Sequence, residues 1–181
     1  MFTFLNKLFK KKEEVTTSFP LNIEKLLKKC KTLPDYIKLL ELTVDTCYEL
    51  FENQFVYQNK HKVSIVVAII FAKFSQTEIF NKEEEQLHFN LIFIILNRLE
   101  IASDNMQFKE FQSAMIYIDD ALAEVNINDH NANFFISNAY ASYLYPYTDL
   151  YKLTREALLI NDFFTPIQIL AENQKKFFSK Y

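Results

Sequence analysis

Apolar residues recur every three to four positions along most of this 181-residue chain, the spacing that lines one face of an α-helix. Over residues 34–58, Ile37, Leu40, Val44, Cys47, Phe51 and Phe55 keep that spacing. Pro34 suits the first turn, because a helix does not use the N–H that proline lacks there. Residues 61–80 contain Val-Ser-Ile-Val-Val-Ala-Ile-Ile-Phe-Ala and are apolar on every side. Their β-branched content would suit a strand, but no second segment offers to pair with it, so a central helix is expected. A helix over 82–102 follows, opened by Asn81 with Glu84 at the capping-box position and nearly all apolar between Leu91 and Leu96. Asp104 with Gln107 marks the next start, and Phe108, Phe111, Met115, Ile118, Leu122 and Val125 continue the stripe.

Residues 126–133 are a polar connection, and a helix over 131–145 ends before Pro146. Thr148 or Asp149 caps a helix reaching Leu159, and Thr165-Pro166 with Gln168 opens a last one over 166–179. At the other end, residues 2–12 place Phe2, Phe4, Leu5, Leu8 and Phe9 on one arc of about 160°, with Lys7, Lys10 and Lys11 on the other side. Residues 13–18 read as a linker. Beyond Pro20 comes a short helix, 22–31, with Asn22 as N-cap and Leu21 against Leu26 as a hydrophobic staple. No period of about 30 to 45 residues recurs, which excludes a helical solenoid. The expectation is all-α: a single globular bundle of about seven to eight helices with two largely apolar central helices. Residues 1–17 form a basic amphipathic arm and linker, and residues 18–181 one helical domain.

Composition sharpens this picture. The chain has no glycine, where average usage would give roughly a dozen. A bias toward Lys, Asn, Ile, Phe and Tyr, with only Arg98 and Arg155 as arginines, matches AT-rich coding, so part of that absence reflects the genome. Phosphate-cradling loops and dinucleotide fingerprints still need glycine, so both are excluded. The longest apolar runs, 63–72 and 91–96, fall short of the roughly 20 residues that span a bilayer. The first nine residues are too short and too polar for a secretory signal. A cytoplasmic location is expected, peripheral at the inner membrane face if residues 2–12 engage it, with Cys30 and Cys47 as free thiols.

The net charge of −3 hides an asymmetry. Residues 1–31 carry eight lysines against three glutamates, whereas residues 100–149 hold eight carboxylates and one lysine, Lys109. A basic arm sits on an acidic body, and such a body is a poor match for nucleic acid.

Several constellations invite a chemical reading. Glu85-x-x-His88 is half of a di-iron pattern, but the second pair is missing. Asp119-Asp120-Ala-Leu-Ala-Glu124 resembles the aspartate-rich element with which isoprenoid synthases hold magnesium–diphosphate, without the second acidic element those enzymes need. Glu49-x-x-Glu52 is similar to half of the magnesium site of helical nucleotide pyrophosphohydrolases, and its other half is likewise absent. No catalytic residues, metal ligands or cofactor are therefore assigned. Tyr140, Tyr143, Tyr145, Tyr147 and Tyr151 instead crowd around Pro146 beside the acidic stretch. Tyrosine supplies large contact area with a polar tip.

The expected function is a non-enzymatic protein-interaction module, an inhibitor or immunity-type protein that neutralises a basic toxin or effector. Its expected face is Asp119, Asp120, Glu124, Asp129, Tyr140, Tyr143, Tyr147 and Tyr151. The first alternative is a peripheral membrane adaptor held by Phe2, Leu5, Lys7, Phe9, Lys10 and Lys11. A helical metal-carboxylate enzyme is the second. A homodimer through an exposed apolar stripe is left open by the sequence.

Overall fold

The computed structural model describes residues 19–54, 60–76, 78–98, 104–125, 132–144 and 150–178, so the arm expected over 1–17 lies outside the described residues. Eight helices and no strand occur among them. They are α1 (Ile23–Leu27), α2 (Leu33–Gln54), α3 (Lys60–Ser75), α4 (Lys82–Arg98), α5 (Asp104–Ala123), α6 (Ala132–Leu144), α7 (Leu150–Asn173) and α8 (Lys175–Phe178). The all-α bundle is therefore observed.

Local chemistry sets the helix starts. Asn22 Oδ1 accepts the Lys25 amide at 2.9 Å and caps α1. Ahead of α2, Asp35 Oδ2 accepts the Thr32 amide at 3.0 Å while Thr32 Oγ1 accepts the Asp35 amide at 3.3 Å. The Thr32 hydroxyl and the Lys31 and Thr32 amides all donate to Asp35, holding its carboxyl below the usual range. The capping box read at α4 is formed: Asn81 Oδ1 accepts the Glu84 amide at 2.9 Å, and Glu84 Oε2 accepts the Asn81 amide at 3.1 Å.

Helix α3 lies at the centre, packed against α2, α4, α5, α6 and α7. Every residue from Val63 to Ser75 is buried, so its β-branched side chains face neighbours all round without needing a strand partner. Helix α4 turns Leu91, Ile92, Ile95 and Leu96 inward, while its first turn is solvated. Helix α7 shares the centre through Ile160, Phe163, Phe164, Ile167 and Leu170. Phe164 meets Tyr140 edge-on at 5.4 Å and Phe74 at 6.3 Å. Tyr36 stacks on Phe177 at 4.9 Å and donates its hydroxyl to the Leu170 carbonyl at 2.8 Å, tying α2 to the C-terminal turn.

One expected boundary is corrected. The two helices anticipated on either side of Pro166 are one continuous helix with Pro166 inside it. Proline in a helix interior costs about 3 kcal/mol. Burial of Phe163, Phe164 and Ile167 on both sides offsets that by about 1.5–3 kcal/mol each, so the core carries the helix through the proline.

Candidate protein-binding groove

Helices α5 and α6 pack side by side, and a groove of about 410 Å³ opens between them. Two alanines, Ala121 on α5 and Ala139 on α6, contribute only methyl groups, which leaves the space. Helical phase explains the rest. On α6, Ile136, Tyr140 and Leu144 repeat at i+4 and are buried. Phe135, Asn138 and Ser142 stand on the adjoining face and line the groove. On α5, Phe111, Ala114 and Ile118 point inward, and Glu124 and Val125, just past its C-terminal end, form the opposite wall.

The same two helices carry three of the large apolar side chains exposed among the described residues, the others being Leu42, Ile79, Phe89 and Leu158. Ile116 is 63% exposed, Tyr117 45% and Phe135 41%. The Tyr117 hydroxyl donates to Ser142 Oγ at 3.3 Å across the helix pair, and the Ser142 hydroxyl donates to the Ala139 carbonyl at 2.8 Å. Tyr117 also leans on Tyr143, ring to ring at 6.2 Å. Asn138 Oδ1 is buried, with no hydrogen-bond partner among the described residues.

The expected site residues divide. Asp120 on α5 and Glu124, the residue just past its C-terminal end, are exposed four residues apart. Asp119 forms an ion pair with Lys73 of α3, whose side chain is only 2% exposed, while the Asp119 side chain is 40% exposed. Tyr140 is corrected. It is 1% exposed, lies in the core, and burial with the nearby Asp119 charge pushes its hydroxyl pKa up. Tyr143 is half-buried, donating to Glu110 Oε1 at 3.2 Å beneath Lys62, whose Nζ is 5.4 Å from the ring centroid. Burial, and then Glu110, raise its pKa. Glu110 also meets His61 Nε2 at 3.5 Å. Asp129, Tyr145 and Tyr147 lie outside the described residues, as do Phe2, Leu5, Lys7, Phe9, Lys10, Lys11 and the side chain of Tyr151.

Composition did not point to Ile116, Tyr117, Phe135 or Asn138. A signal existed: Ile116 and Tyr117 fall off the stripe that runs through Met115, Ile118 and Leu122.

The remaining constellation is structural. Glu85 is exposed, but His88 is buried. Its ring stacks against Phe71 at 5.9 Å and Phe80 at 5.0 Å. His88 Nδ1–H donates to Gln174 Oε1 at 2.8 Å, and Gln174 Nε2 donates to Ser75 Oγ at 2.7 Å and to the Ala171 carbonyl at 2.8 Å. Burial lowers the His88 pKa, against smaller opposing effects of Gln174 and Glu85. Glu49 is exposed, and the Glu52 side chain lies outside the described residues. No helix among the described residues is long and apolar enough to cross a membrane. Comparison with protein families, curated proteins and solved structures found nothing that matches this chain.

Proposed function

We propose that this chain is a non-enzymatic interaction module whose α5–α6 groove captures a basic protein partner, in the manner of an inhibitor that neutralises a toxin or effector. The observation that carries this reading is one of placement. Asp120 and Glu124 lie four residues apart at the C-terminal end of α5, one of the two helices that expose Ile116, Tyr117 and Phe135. Paired carboxylates steer a cationic surface into register, and large apolar side chains beside them hold it.

The test is affinity capture from host lysate with three baits: the wild-type chain, D120K/E124K and F135A. The reading predicts one stoichiometric basic protein on the wild type, lost from D120K/E124K and reduced on F135A. A partner retained equally by all three baits overturns it.

A further inference from the structure

We propose that a second copy of this chain pairs with the outer face of α5, the two helices lying antiparallel about a twofold axis between Ile116 and Tyr117. At about 100° per residue, Lys109, Ser113, Ile116 and Asp120 fall within one arc of about 60°, and all four are exposed. Glu124, also exposed, continues that row just past the helix end. The row therefore runs from a cation through an apolar centre to two carboxylates. Such an order is complementary to its own reverse. Lys109 and Glu124 each lie about 11 Å along the axis from the midpoint of Ile116 and Tyr117, and Ser113 and Asp120 each about 5 Å. A twofold axis at that midpoint sets Lys109 against the partner's Glu124 and the Ser113 hydroxyl against the partner's Asp120. Ile116, 63% exposed, and Tyr117, 45% exposed, then pack on their own counterparts at the centre.

The neighbouring charges are engaged elsewhere. Glu110 accepts from Tyr143 and meets His61, and Asp119 pairs with Lys73. Helix α6, alongside, carries no charged residue from Ala132 to Leu144, so nothing on that flank opposes the pairing. Charge also selects the direction. A parallel pair would set Lys109 on Lys109 and Asp120 on Asp120, whereas the antiparallel pair forms each Lys109–Glu124 contact twice. The apolar centre is small, Ile116 and Tyr117 from each copy, which places the dimer in the weak, reversible class and not among obligate ones. Dimerisation stands apart from partner capture. Its consequence for that reading is regulatory: the second copy covers Asp120 and Glu124 until a basic partner displaces it.

Sedimentation equilibrium of the 181-residue chain at low salt, taken up to about 1 mM protein, tests this. The expected result is a monomer–dimer equilibrium with a dissociation constant on the order of 100 μM. K109E and E124K each set like charges together twice across the axis, so each weakens the dimer at least about tenfold. The double swap K109E/E124K reverses both partners and restores the dissociation constant to within about threefold of wild type. That recovery also shows that the exposed substitutions leave the fold intact. A chain that stays monomeric throughout overturns the proposal. So does a dimer indifferent to K109E and E124K, which lies on another face. Weakening by the single variants without recovery in the swap overturns the antiparallel register. A monomeric result leaves capture by Asp120 and Glu124 untouched, and a failed capture leaves the dimer standing, so the two readings fail separately.

Discussion

Asp119 and Asp120 are neighbours with opposite duties. Asp119 compensates Lys73, an ammonium carried on the most buried helix of the bundle, whereas Asp120 faces solvent. Removing Asp119 takes a compensating charge from a buried ammonium, and the partial exposure of Asp119 softens that cost. Asp119→Ala is therefore expected to lose about 2–3 kcal/mol of unfolding free energy. Asp120→Ala is expected to stay within about 0.5 kcal/mol of wild type, as surface changes do. Urea unfolding of the two variants gives both numbers. His88 supplies a second expectation. Burial between Phe71 and Phe80 lowers its pKa, so the unfolded chain takes up that proton at higher pH than the folded protein. This share of stability is complete above about pH 6.5 and is lost as the pH falls below it. His88→Phe should flatten the dependence just below that pH. An unchanged slope would mean that other groups carry it.

Helices begin where short-range chemistry says they begin. Asn22 and the Asn81–Glu84 box both hold the bonds their spacing implies. Asn81→Ala is expected to cost about 1 kcal/mol, read as a shifted urea midpoint with unchanged slope. Such caps are legible in sequence because the partners lie three residues apart. Pro166 was not legible, because local preference argues for a helix start and only the buried Phe163, Phe164 and Ile167 override it. The groove was legible in part. Charge counting brought out the helix pair and Asp120 with Glu124, but composition ignores phase. Tyr140 repeats with Ile136 and Leu144 and goes inward, while Phe135 goes outward. Nor does spacing reveal that Lys73, on a different helix, claims Asp119.

At the scale of the whole molecule, an acidic body and a basic N-terminal stretch share one chain of net charge −3. The body buries an aromatic and β-branched core around α3 and leaves Ile116, Tyr117 and Phe135 exposed on α5 and α6, the helix pair next to Asp120 and Glu124, while Leu42, Ile79, Phe89 and Leu158 are exposed elsewhere. That arrangement gives an electrostatic signature to any partner that uses the groove. Steered association is fast at low salt and falls steeply as salt screens it. The most direct measurement is the association rate of the captured partner with wild type and with D120K/E124K across a salt series. The account predicts at least about a tenfold slower association for the variant at low salt, with the two rates converging as salt rises. Equal rates at low salt, or a wild-type rate indifferent to salt, would contradict an acidic groove as the binding surface.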